Sequence, residues 1–259
     1  MSENYALQKS GQGQAIVWLT GWSMPYDAFA SLAAKLPDFH HFFVDFSDAV
    51  GPSDIREKAL AATVAATKLS QSPPLIAGWS MGGLLALGLA ANGLTKGLAL
   101  FGATGRFLRA DRDGELGWAD GYVRRMLAGL RVDREGVERK FRDMLISDWE
   151  RESGFGAKLP EGGSWSVEAL EAGLHILRAE NYLPMLPEID CPVLLIHGSA
   201  DRICPFGAAE LLHRELPLSS FIQIFGGGHV PFLNRETELA GRIRDWWNEP
   251  KRNQHSATI

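Results

Sequence analysis

A serine stands between glycines two positions to either side in Gly78-Trp79-Ser80-Met81-Gly82. Before it, Leu75-Ile76-Ala77 is a short apolar run that reads as a strand. After it, an Ala/Leu-rich stretch from Met81 reads as a helix. Such a strand-to-helix turn lifts a serine hydroxyl above the end of a sheet, where it can attack a carbonyl carbon. Glycine is needed at both flanking places because a side chain there would meet the neighbouring strand or helix. The bland alternative is a glycine-punctuated turn with a surface serine, and a pentapeptide alone does not separate the two.

A serine nucleophile needs a base for its proton and a carboxylate to orient that base. Downstream, Cys191-Pro192-Val193-Leu194-Leu195-Ile196-His197 reads as a buried strand running out into Gly198-Ser199-Ala200-Asp201. Ser220 to Phe225 reads as another, ending in Gly226-Gly227-Gly228-His229. Ser80, Asp201 and His229 thus each follow a predicted strand, and parallel strands bring all three to one sheet edge, where open α/β sheets bind ligands. Asp45, which closes another strand, is the rival acid. Asp190 precedes its strand and belongs to the opposite edge. His40 and His41 precede the second main strand and belong there too, and His197 reads as a packed core histidine. Two backbone N–H groups should receive the developing oxyanion: that of Met81, after the serine, and that of Trp22, in the loop after the first core strand.

The elements that position these residues alternate. Strands are expected at 15–19, 42–46, 75–77, 97–101, 193–197 and 221–225, with helices near 28–36, 56–69, 81–92, 206–216 and 236–247. This rhythm implies an α/β fold, a mainly parallel sheet with helices on both faces. Residues 1–13 are expected to add an edge hairpin. The pattern breaks between Gly105 and Pro184, where apolar and charged residues recur at helical spacing. Residues 105–185 read as a helical cap inserted into a core formed by 1–104 and 186–259. Its loosest part is expected at 154–163, and the polar end 251–259 is expected to fray.

Composition suits a globular enzyme. The chain has 259 residues, 46% hydrophobic, with 26 basic and 31 acidic side chains and a net charge of −5. That balance argues against a general nucleic-acid binder. Two cysteines, Cys191 and Cys204, fit a reducing compartment better than a disulfide scaffold. Neither a signal peptide nor a membrane span is read, so a cytoplasmic protein is expected. Residues 124–142 carry seven basic and three acidic side chains, an excess of +4 within an acidic chain. This patch would suit an acidic partner, or it is a solvated face with internal ion pairs.

Over almost its whole length the chain resembles the α/β-hydrolases, most of all the pimeloyl-acyl-carrier-protein methyl ester carboxylesterases of biotin synthesis (BioH type). The resemblance rests on Lys9 to Gly13, Gly21-Trp22, the elbow from Gly78 to Gly83, Gly173-Leu174-His175-Ile176-Leu177, and His229-Val230-Pro231-Phe232. It implies a serine esterase with no cofactor or metal, acting on an ester carried by acyl carrier protein. It also implies that Arg139 and Arg142 contact the carrier and that Phe141 contacts the acyl chain. The chain departs from the family at Thr20-Gly21, where many members have His-Gly, and in the turn from Phe46 to Gly51. A monomer is expected. The alternatives are a general short-chain carboxylesterase or thioesterase, a proton-abstracting lyase of the same fold, and a non-enzymatic ligand binder.

Overall fold

The structure, a computed structural model, describes residues 5–8, 13–160, 162 and 164–249. The resemblance at Lys9 to Gln12 and the fraying expected for 251–259 lie outside them. In chain order the elements are β1 (Tyr5–Gln8), β2 (Ala15–Leu19), α1 (Ala30–Ala33), β3 (His40–Val44), α2 (Pro52–Ser70), β4 (Leu75–Trp79), α3 (Met81–Ala91) and β5 (Gly97–Phe101). There follow α4 (Asp120–Leu130), α5 (Arg134–Asp143), α6 (Asp148–Glu152), α7 (Val167–Ala179), β6 (Val193–Gly198), α8 (Phe206–Glu215), β7 (Ser219–Ile224) and α9 (Glu236–Asn248).

The strands form one sheet in the order β1-β3-β2-β4-β5-β6-β7. All pairings are parallel except that of β1 with β3. Every residue of β2, β4, β5 and β6 is buried, which is why these strands read as near-continuous apolar runs. The chain leaves β2 towards β3, then doubles back past β2 to β4 and continues outward to β7. Right-handed crossovers therefore put α1 on one face and α2, α3 and α8 on the other. The packing agrees: α9 joins α1, and α2 meets α3. The direction of winding reverses between β2 and β4, and the loops after these two strands flank the crevice so formed.

The edge hairpin expected over residues 1–13 falls largely outside the described residues; within them, β1 is an edge strand antiparallel to β3, Tyr5 opposite Val44. Two expectations need correction. The expected helix over 28–36 is a single turn, since Pro37 disfavours helical geometry at Leu36 and turns occupy 26–29. His40 and His41 open β3 rather than precede it. His41 is buried, accepting from Trp18 Nε1 at 3.0 Å and donating to the Leu36 carbonyl at 3.0 Å, a neutral packed imidazole whose pKa burial lowers.

The elbow after β4 depends on backbone approaching backbone. A Cβ on Gly82 would collide with the Leu19 carbonyl at the end of β2, and one on Gly78 would lie 2.5 Å from the Gly82 carbonyl oxygen. Gly82→Ala should therefore lower the melting temperature by roughly 5 °C or more. Gly241→Ala, on an open face of α9, should raise it slightly, because alanine favours helix by about 1 kcal/mol. Thermal unfolding of the two variants side by side checks the contrast; equal shifts would contradict it.

Candidate active site

Ser80 sits between β4 and α3 at φ 57° and ψ −115°, a strained conformation for a residue with a side chain. Its amide donates to the Phe101 carbonyl at 3.0 Å, tying the turn to the end of β5. Gly21 brings the loop after β2 against this turn, so that a Cβ on it would lie 3.3 Å from Ser80 Cβ. Met81 is the first residue of α3, whose leading N–H groups lack partners within the helix and carry its positive dipole end. Trp22 is buried, its indole donating to the Leu170 carbonyl at 2.8 Å, and Phe141 meets it edge-on at 4.9 Å. The sequence-expected Ser80, Met81 and Trp22 thus lie together at the crevice.

Asp201 and His229 join them from the loops after β6 and β7. His229 Nδ1 lies 2.8 Å from Asp201 Oδ2. A carboxylate only accepts, so Nδ1 is the donor and Nε2 carries the lone pair. That Nε2 is buried and has no hydrogen-bond partner among the described residues. The backbone that carries the ring is held twice: the His229 carbonyl accepts from Trp79 Nε1 at 2.7 Å, and its amide donates to the Leu145 carbonyl at 2.8 Å. Just before it, the Gly228 amide donates to the buried Glu150 carboxylate at 2.9 Å, and the Gly226 carbonyl accepts from Ser147 Oγ at 2.6 Å. Ser147 and Glu150 also form the capping box of α6, so one helix start fixes the histidine loop.

Asp201 Oδ1 accepts from the amides of Ile203 at 2.8 Å and Cys204 at 2.9 Å. Oδ2 is shared by His229 and by His197, whose Nε2 lies 3.3 Å away and 2.8 Å from the Cys204 carbonyl. Both neighbours of that nitrogen are acceptors, so Nε2 of His197 bears the proton. Burial pushes the Asp201 carboxyl up, but the two histidines outweigh it and hold the group well below the usual carboxylate range. His197 is therefore more than packing. The signal was available in the sequence, as a titratable side chain inside a wholly buried strand. The rival Asp45 is a turn residue, its carboxylate accepting from the Ser47 amide at 2.9 Å. Cys204 touches Ser80, yet burial and the Asp201 charge push its thiol well up, against a smaller opposite effect of the hydrogen bond with Ser80. It stays a protonated thiol and is a poor rival nucleophile.

Among the described residues, no three His, Cys, Asp or Glu side chains converge as a metal site requires, and no helix is long and apolar enough to cross a membrane. Ser80 is only 4% exposed. A cavity of about 700 Å³ opens among the inserted helices, lined by Tyr122, Arg125, Met126, Val137, Lys140 and Phe141. It stops short of Ser80, and Phe141, packed on Trp22, is the link between them. Arg139 is exposed on α5. Arg142 is not comparably presented: its guanidinium turns inward and donates to the Pro160 carbonyl at 2.6 Å. The basic stretch is also partly neutralised, as Arg124 pairs with Asp120, Arg131 with Glu171 and Arg134 with Glu138.

Residues 16–242 match the model of the alpha/beta hydrolase family. A pimeloyl-[acyl-carrier protein] methyl ester esterase of Xanthomonas oryzae pv. oryzae is 31% identical over 245 residues, covering 90% of this chain and 95% of the relative. One from Stenotrophomonas maltophilia is 30% identical, covering 91% and 93%. Among solved structures, an esterase from Exiguobacterium antarcticum superposes with a TM-score of 0.75 at 21% identity, covering 93% of this chain and 94% of that one. A bromoperoxidase from Bacillus anthracis gives 0.78 at 17%, covering 94% of each chain, a likeness of fold across different chemistries.

Replacing His197 with Leu removes one of the contacts that keep Asp201 ionised. A lowered carboxyl pKa stabilises the fold above the unfolded value of about 3.9, and that contribution is lost as pH falls through the folded value. In His197→Leu the folded value rises, so acid unfolding should begin at higher pH than in wild type. Circular dichroism from pH 7 to pH 2 reads this directly, and superimposable acid limbs would contradict it.

Proposed function

Since the chain belongs to the alpha/beta hydrolase family, we propose that it is a serine carboxylesterase whose substrate is the methyl ester of pimeloyl-acyl carrier protein. One observation carries the chemistry: the His229–Asp201 contact leaves a buried, unpaired Nε2 at the sheet edge where the elbow presents Ser80. In this reading Ser80 Oγ attacks the ester carbonyl as His229 Nε2 takes its proton. The N–H groups of Trp22 and Met81 receive the oxyanion, and Asp201 stabilises the imidazolium without being protonated. His229 then protonates the departing methanol. Water attacks the acyl-enzyme with His229 again as base, releasing the pimeloyl product and restoring Ser80. The Ser80–His229 hydrogen bond, unmade in the closed site, forms as substrate enters; such bonds commonly tighten only in the complex.

Residues 105–185 act as a cap over this edge. The cavity bounded by Phe141 takes the acyl chain, and Arg139 with Lys140 on the exposed side of α5 faces the acidic carrier. The relatives' names support the substrate, since they match 90% or more of the chain at about 30% identity. A carrier-bound substrate supports a cytoplasmic reaction, and a monomer suffices because all the proposed catalytic groups come from one chain. A second reading, a general carboxylesterase without a carrier, is favoured by the internal pairing of Arg124, Arg131 and Arg134 and by the inward turn of Arg142.

Methyl pimeloyl carrier protein, incubated with the enzyme and followed by mass spectrometry, separates the two. Demethylation should be lost by about 10⁴-fold or more in Ser80→Ala. Arg139→Glu should raise KM for the carrier substrate and leave hydrolysis of a short free ester unchanged. A silent carrier substrate beside rapid short-ester cleavage would favour the general esterase, and a fully active Ser80→Ala would end both readings.

A further inference from the structure

The loop that carries Trp22 is a tight turn closed by the Met24 amide donating to the Gly21 carbonyl at 3.3 Å. Its third residue, Ser23, has φ 62°. Turns with positive φ at that place call for glycine, because the left-handed region crowds a Cβ. Here a serine occupies it, wholly buried. Its hydroxyl donates to Glu138 Oε1 at 2.5 Å. Glu138 comes from the middle of α5, 115 residues later in the chain, and is itself only 6% exposed. Its other carboxylate oxygen accepts from Arg134 Nε at 2.8 Å. A buried carboxylate bridging a strained turn and a distant helix is costly unless its hydrogen bonds are made, so each end constrains the other.

We propose that Glu138 is a positioning residue for the oxyanion site: by gripping Ser23 it holds the turn in the shape that aims the Trp22 N–H at the reacting carbonyl. The inference rests on the reading of Trp22 as an oxyanion donor. It makes esterolysis depend on the seating of α5, because the same helix holds Trp22 through Phe141 and carries the exposed Arg139. A hydrogen bond across 115 residues thereby links the outer face of α5 to the atoms that stabilise charge in the transition state. The energetic logic is preorganisation: a donor already aimed at the oxyanion costs no rearrangement when charge develops.

The test uses p-nitrophenyl butyrate with the full-length enzyme and the pair Glu138→Ala and Ser23→Gly, singly and together. Active sites are titrated with a fluorophosphonate so that misfolded protein does not count. Glu138→Ala should lower kcat about tenfold or more with KM within about twofold, as loss of an oxyanion donor does. Made in the Ser23→Gly background, the same change should cost less than about threefold, because glycine holds positive φ without help. A merely structural Glu138 would lower stability equally in both backgrounds and leave kcat per titrated site unchanged; that result overturns the proposal. Should Glu138→Ala not fold, Glu138→Leu, similar in size but without an acceptor, serves in the same pair, with the same non-additivity expected and strict additivity contradicting it. Ser80→Ala runs alongside. If it retains wild-type activity, the esterase reading itself fails; if it is inactive while the Glu138 series is flat, only this inference fails.

Discussion

Two backbones meet without a side chain between them where the Gly82 Cα faces the Leu19 carbonyl, and the rest of the site hangs on that approach. It lets β4 turn directly into α3 beside the end of β2, which sets the strained Ser80 against Gly21 and brings the leading N–H groups of α3 level with the Trp22 turn. The sheet topology supplies the crevice, since winding reverses between these two strands. A methyl group at Gly82 would push the turn at Ser80 away from the end of β2 and the Trp22 turn that follows it. Hydrophobic burial of four complete strands holds this arrangement rigid, so the strain at Ser80 is imposed by its surroundings rather than relaxed by them.

Around that fixed point the charged groups are arranged by pairing. Asp201 accepts four contacts, two from amides and two from histidines, so its charge persists in a buried place. The consequence passes to His229, whose donating Nδ1 leaves the lone pair on Nε2. The inserted helices complete the construction from the other side. α6 fixes the backbone before His229, α7 accepts the Trp22 indole, and α5 contributes Phe141 and Glu138. Residues far apart in the chain thereby restrain the turn, the imidazole and the cavity wall together.

Much of this was legible in the sequence because it is written locally. Fully buried strands show as apolar runs, and the elbow shows as a glycine spacing imposed by sterics. Chain order places Ser80, Asp201 and His229 after three parallel strands of one sheet, β4, β6 and β7. What escaped depends on where the folded backbone aims side chains and which partners it brings to them. His197 resembled core packing because only the turn after β6 sets Asp201, four residues on, at its Nε2. Glu138 resembled one charge in a basic helix until Ser23 was found against it. The resemblance treated Arg142 and Arg139 alike, yet a hydrogen bond to the Pro160 carbonyl turns one inward while the other faces solvent. The pairing of β1 with β3 was equally hidden, since register between an edge strand and a neighbour 35 residues away leaves no local trace.

The central claim is that Ser80 itself becomes acylated, with the neighbouring Cys204 thiol a bystander. The most direct measurement is acid quenching of the enzyme within the first turnovers of p-nitrophenyl butyrate, followed by peptide mass spectrometry. The account predicts a butyryl ester on the peptide containing Ser80, localised to that residue. Turnover with no adduct, or butyryl on Cys204 in place of Ser80, would contradict it.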